Sequence, residues 1–109
     1  MLPALDVAAD QVASQVGLGL TAPPALVRSY RKQRNKTESH VGDFQPTVLP
    51  RTLVTVYEVW AMPLEDDTEC FAVVKGVTAV VSCGPSRWQS VDYLGYYLTL
   101  GEAINAIGA

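Results

Sequence analysis

The chain has 109 residues, a length that fits one domain able to bury a core without a metal or a disulfide. Hydrophobic residues make up 49% of it and charged residues 17%, a core-forming composition that excludes an intrinsically disordered protein. The formal net charge is −3, so the chain as a whole lacks the broad positive field that is typical of a nucleic-acid binder.

The apolar segments are too short for a membrane helix. The longest, FAVVKGVTAVVSC, is interrupted by Lys75 and falls short of the ~20 residues that a bilayer requires. The first ten residues lack a basic start and carry Asp6 and Asp10, so they do not resemble a signal peptide. We therefore expect a cytoplasmic protein without membrane contact.

Helical spacing predicts a first helix over residues 4–16. Leu5, Ala8 and Val12 recur on one side of it, and Gly17 is placed to end it.

A second helix is predicted from Thr21 through residues 28–36. Thr21 is a good helix cap, and on this helix Leu26, Val27 and Tyr30 would form the buried side. The stretch RSYRKQRNK at 28–36 holds five of the eight cations, and the rest of the chain carries three cations and eleven anions. We expect this basic stripe to face outward and to bind an acidic surface of a partner. Its residues are Arg28, Arg31, Lys32, Arg34 and Lys36.

The remaining pattern predicts an irregular connecting segment at 37–51, then an antiparallel sheet and a short helix. The expected strands are at 52–62, 70–83 and 88–98, with turns at 63–69 and 84–87 between them. The stretch 70–83 is either one strand bent at Gly76 or two strands that meet there. The final helix begins at Thr99 and Glu102, which have the spacing of a capping box. The expected fold class is therefore α+β, with N-terminal helices, three to four antiparallel strands and a short C-terminal helix in a single domain, residues 1–109.

Both faces of the predicted sheet are apolar. In its first strand Leu53, Tyr57 and Val59 alternate with residues that are equally apolar, whereas a sheet with one wet face would alternate apolar with polar. We expect both faces to be covered, either by the helices or by a second copy of the chain. A homo-oligomer, most simply a dimer, follows from this expectation.

Cysteine and histidine do not form a catalytic or zinc-binding pattern. Cys70 and Cys83 are 13 residues apart, and His40 is the single histidine of the chain. We expect buried free cysteines, although neighbouring strands would also allow a disulfide. We expect His40 on the surface of the connecting segment.

Clustered carboxylates follow the first predicted strand. Glu65, Asp66, Asp67 and Glu69 lack the glycine and the distal glutamate of a calcium loop. We interpret them as a solvated hairpin tip. The sequence implies no catalytic residue, no metal site and no cofactor, and we expect a protein that is not an enzyme.

Aromatic residues are concentrated on the predicted sheet, where they suit either a core or a cleft for a small ligand. We expect Trp60 and Trp88 to be mostly buried. The candidate cleft residues are Tyr57, Trp60, Trp88, Tyr93, Tyr96 and Tyr97.

The leading functional hypothesis is a small non-catalytic module for association with itself or with another protein. One alternative is a nucleic-acid-binding accessory protein that uses the basic residues 28–36. A second alternative is small-ligand binding in the aromatic cleft.

Overall fold

The computed structural model describes the backbone of residues 2–40, 47–81 and 87–108, and the side chains of residues 2–32, 52–79 and 88–108. In chain order the elements are α1 (Leu5–Val16), β1 (Ala25–His40), β2 (Thr47–Pro63), β3 (Glu69–Val81), β4 (Arg87–Tyr97) and α2 (Leu100–Ile107). The fold is α+β, as the sequence predicts, with one helix before and one helix after the strands of an antiparallel sheet in chain order.

The four strands follow one another in the sheet in the order β1-β2-β3-β4, and every neighbouring pair is antiparallel. The β2–β3 ladder is uninterrupted. One extra residue, Val27, shifts the register at the start of β1, and two others, Gln89 and Leu94, shift it in β4. Both outer strands, β1 and β4, lack a partner strand on their outer side within the described part of the chain.

The second helix expected after Thr21 is wrong, because residues 25–40 form strand β1. Pairing with the long, β-branched strand β2 overrides the weak helical preference of the basic stretch. The connecting segment expected at 37–51 is correspondingly reduced: residues 37–40 end β1, and residues 47–51 begin β2. Residues 41–46 lie outside the described residues.

The predicted strand at 70–83 is one strand, β3, which continues through Gly76. Gly76 pairs with Val56 on one side and with Val91 on the other, so it is neither a hairpin turn nor a bulge. A side chain has no room here, since a Cβ atom would come within 2.6 Å of Leu2 and 3.0 Å of the Trp88 ring. The turn expected at 84–87 falls mostly outside the described residues.

Each face of the sheet is covered by one helix. Leu5, Ala8 and Val12 of α1 pack on the face formed by the even-numbered residues of β2, such as Trp60 and Met62. We call this side the α1 face. Ala103 and Ile107 of α2 pack on Val59 and Val73 of the opposite side, which we call the α2 face. The expectation that both faces of the sheet are covered is confirmed for the part of the sheet on which the two helices pack.

A buried carboxylate anchors the chain before α1. Glu58 is only 5% exposed on the α1 face. It accepts hydrogen bonds from the backbone N–H of Leu2 at 2.8 Å and from the indole N–H of Trp60 at 3.2 Å. Because a buried polar group requires such partners, these contacts fix both the position of Leu2 and the orientation of Trp60.

The molecule is elongated, with extents of 62 × 23 × 19 Å. Its radius of gyration is 17.6 Å, whereas a compact chain of this length has about 13 Å. The two helices pack near one end of the sheet, which we call the helix-covered end (57–63 of β2 with 69–75 of β3). The strands continue past it to a far end (47–55 of β2 with 77–81 of β3).

Candidate functional site

The strand register gathers the positive charges of the chain on one face. From Arg28 onward, even-numbered residues of β1 pair with odd-numbered residues of β2, and these positions belong to the α2 face. Of the eight Lys and Arg residues, all of which have described backbone, seven occupy α2-face positions, and only Arg31 pairs on the α1 face. The seven positions form what we call the cationic face: Arg28, Lys32, Arg34, Lys36, Arg51, Lys75 and Arg87.

Tyr57 is the centre of the part of this face whose side chains are described. The Nζ atom of Lys32, from β1, lies 5.6 Å from the centroid of the Tyr57 ring, and that of Lys75, from β3, lies 5.7 Å from it. Each contact is a cation–π interaction. Tyr30 is the cross-strand partner of Tyr57, so two tyrosines and two lysines share one patch.

The carboxylates lie mostly elsewhere. Asp6 and Asp10 are on α1, which covers the opposite face, and the acidic residues 65–69 occupy the turn at the helix-covered end. On the cationic face itself Asp92 pairs beside Lys75, and Glu38 follows Lys36 in the same row of β1. Most of the described carboxylates therefore lie on the opposite side of the sheet or in the turn at the helix-covered end.

The structure divides the candidate cleft residues between the two faces. Trp60, Tyr93 and Tyr96 pack with α1 in one core, whereas Tyr57 and Tyr97 pack with α2 in the other. The six aromatic residues therefore do not share one cleft. Trp60 is buried as expected, but Trp88 is 41% exposed, so the expectation of a buried Trp88 is wrong.

Strand β4 borders an apolar surface. Of the five large apolar side chains that are exposed in the described part of the chain, four lie on or beside β4, and we call them the apolar edge: Val7, Trp88, Leu94 and Leu98. Val7 lines a groove of about 230 Å³ between α1 and β4. The other lining residues are Pro3, Ala4, Val91 and Tyr93.

The acidic turn is exposed throughout. Asp66 accepts hydrogen bonds from the hydroxyl and from the backbone N–H of Thr68, and the hydroxyl contact lowers the pKa of the Asp66 carboxyl. No group of three or more His, Cys, Asp or Glu side chains within the described residues is arranged to hold a metal. The contacts of Asp66 are those of a self-contained turn.

The cysteines and the histidine are not brought together in the described residues. Cys70 is buried and free, and burial raises the pKa of its thiol. Cys83 lies outside the described residues, so its distance from Cys70 does too. His40 is the last residue of β1 rather than part of a connecting segment.

Within the described residues no helix is both long and apolar enough to cross a bilayer. Comparison of the chain with family models, with curated proteins and with solved structures found no match.

The basic residues do not form the stripe that a helix would give, but most of them share one side of a strand. Arg34 is the residue that distinguishes the two cases in the sequence. On a helix it falls about 80° from Leu26 and thus among the apolar side chains, whereas alternation along a strand puts it in one row with Arg28, Lys32 and Lys36.

Proposed function

We propose that the protein is a non-catalytic association module that assembles with a second copy of itself through the apolar edge. The observation that carries this proposal is the concentration of exposed apolar side chains along β4, where Trp88, Leu94 and Leu98 are 41%, 46% and 72% exposed. Exposed apolar patches of a few hundred Å² or more usually mark an interface.

The groove beside β4 also supports the apolar edge as the contact surface. Val7 is 54% exposed on its wall, and Val91 and Tyr93 line it from the sheet. Apolar side chains of a partner that fill this groove would bury the edge of the α1 core at the same time.

Charge favours a second copy at β4 over one at β1. Strand β4 carries a single cation, Arg87, and a single anion, Asp92, so two copies facing each other there meet no excess of like charge. Strand β1 carries five cations between Arg28 and Lys36, and two copies facing each other there would repel. A two-fold contact needs a self-complementary surface, and of the two outer strands β4 is the better suited to one.

The contact is expected to be side-chain packing rather than extension of the sheet. The extra residues Gln89 and Leu94 interrupt the β4 ladder, and such bulges hinder strand pairing along an edge. The bulge at Leu94 is also consistent with the exposure of its side chain.

Sedimentation velocity at micromolar concentration tests the proposal with a matched pair of variants. Leu94→Asp puts a charge on the apolar edge, and Leu26→Asp puts one on β1, where Leu26 is 48% exposed and also adjoins a bulge. We expect the parent and Leu26→Asp to sediment as dimers and Leu94→Asp as an 11.8 kDa monomer, because a buried unpaired carboxylate is costly.

Two outcomes contradict the proposal. A parent that sediments as a monomer would exclude self-association at this concentration. Dimers that persist in Leu94→Asp but dissociate at moderate salt would assign the contact to the cationic face of one copy against the acidic turn of another, since apolar contacts are not weakened by screening.

A further inference from the structure

We propose that the cationic face binds single-stranded nucleic acid, with phosphate groups held by Lys32 and Lys75 on the two sides of Tyr57. The face and the apolar edge are different surfaces, so binding here does not depend on self-association.

The first support is the local arrangement of donors. Lys32 and Lys75 reach toward the same ring from the two strands that flank β2, at 5.6 and 5.7 Å from its centroid. In the part of the chain that the structure describes, neither ammonium group makes an ion pair, and the tyrosine ring is the partner of both. Such ammonium groups bind phosphate oxygens by charge-assisted hydrogen bonds.

The second support is the continuation of the row. Positions Arg34 and Lys36 follow Lys32 on β1 at every second residue, and Arg51 is the ladder partner of Lys36. A polyanion lying along the sheet therefore meets one positive position after another. Clustered Lys and Arg on one face of a fold is the electrostatic pattern of nucleic-acid binding.

The net negative charge of the chain does not oppose this binding. The acidic turn begins ten residues after Thr55, the partner of Lys32, which at ~3.3 Å per residue is roughly 30 Å. The Debye length at physiological ionic strength is about 8 Å, so these exposed carboxylates are screened from the site. The nearer anions are Asp92, beside Lys75, Glu102, at the start of α2, and Glu38, six residues along β1 from Lys32.

The tyrosines favour a single strand over a duplex or an acidic protein. Tyr30 and Tyr57 are half-buried cross-strand partners beside the α2 core, and unpaired bases stack on the exposed parts of such rings without regard to sequence. A duplex hides its bases from a flat sheet, and an acidic polypeptide has no bases to stack.

The test is fluorescence anisotropy with a labelled oligothymidylate of about 15 nucleotides, a length within the range of single-strand site sizes. We expect the double variant Lys32→Ser, Lys75→Ser to weaken binding at least tenfold. Two lost phosphate contacts should also reduce the slope of log K against log salt by about 1.4, given about 0.7 per phosphate on a single strand.

Arg31→Ser is the matched control for charge. Arg31 is exposed and adjoins Lys32 in sequence, but it pairs on the α1 face, so its loss should change affinity less than about twofold. Tyr57→Leu should weaken binding with an unchanged salt slope, because stacking contributes about 1–3 kcal/mol per base and releases no counterion.

Two further ligands, a duplex and polyglutamate, define outcomes that would overturn the proposal. Equal affinity for a duplex of the same length would overturn selection of single strands, and equal affinity for polyglutamate would assign the face to an acidic protein. No binding by the parent at low salt, or equal losses in Arg31→Ser and in the lysine variant, would exclude a site at Tyr57. Circular dichroism of each variant separates these results from misfolding.

Discussion

Tyr93 has its ring in the α1 core and its hydroxyl group at the margin of that core. Its ring packs against that core beside the groove of the apolar edge, and its hydroxyl donates a hydrogen bond to the side-chain oxygen of Gln15 at 3.1 Å. Burial is the main cause that raises the pKa of Tyr93 to about 12, above the ordinary value of 10.0. The neutral phenol is therefore the form that the fold requires.

This pKa predicts a loss of stability in alkaline solution. The folded-state pKa lies above the unfolded value, so the contribution of Tyr93 is complete below about pH 10 and is lost as the pH rises toward about 12. We expect the parent to lose more unfolding free energy than Tyr93→Phe over this range, because phenylalanine has no proton to release. Urea titrations at several pH values measure the difference, and parallel curves for the two proteins would contradict the prediction.

At the level of elements, β1 illustrates how far the sequence determines the fold. Helix α1, the strand signals in β2 to β4 and the Thr99 cap of α2, which accepts from the N–H of Glu102, were predictable from local patterns. Strand β1 was not, because residues 28–36 contain few β-branched side chains and owe their conformation to pairing with β2.

The candidate sites were predictable only in part, because they also depend on how the strands pair. The clustering of cations at 28–36 is visible in the sequence, but their convergence with Lys75 on Tyr57 depends on the registers of both β1 and β3 with β2. The apolar edge depends on the two bulges of β4, and the sequence of that strand contains no signal that separates a bulge from regular pairing.

Gly76 tests the packing of β3 directly. We expect Gly76→Ala to lower the unfolding free energy by about 1–3 kcal/mol, because the added methyl group overlaps Leu2 and the Trp88 ring. Gly101→Ala is the matched control: it lies in α2 with no atom near the added methyl group, and it should be neutral or stabilising by up to about 1 kcal/mol. Chemical denaturation measures both, and a neutral Gly76→Ala would contradict the close approach of Leu2 to β3.

At the scale of the whole molecule, cover by the helices is uneven. Val59 and Val73 are essentially inaccessible where both helices pack. The cores against α1 and α2 include no residue from 47–55 of β2 or 77–81 of β3 within the described side chains. Among the described side chains of the far end only Val54 and Thr78 are buried, so this end depends more on its ladder hydrogen bonds than on buried apolar area.

This asymmetry predicts a gradient of amide hydrogen exchange along the strands. Amides of β2 and β3 around Val59 and Val73 should exchange only on global unfolding, whereas ladder amides of the far end should exchange by local opening with lower free energy. Exchange measured by NMR at each residue tests this, with the Leu94→Asp variant included so that dimer formation does not add protection. Uniform protection from one end of β2 to the other would contradict it.

The uninterrupted β1–β2 ladder from Arg28 to His40 also has a mechanical consequence. Its hydrogen bonds run perpendicular to the strands, so a pull that slides β1 lengthwise along β2 loads all of them together. A strand stretch of this length spans about 40 Å at ~3.3 Å per residue. The pair of strands can therefore transmit a displacement from the helix-covered end to a point well beyond the helices.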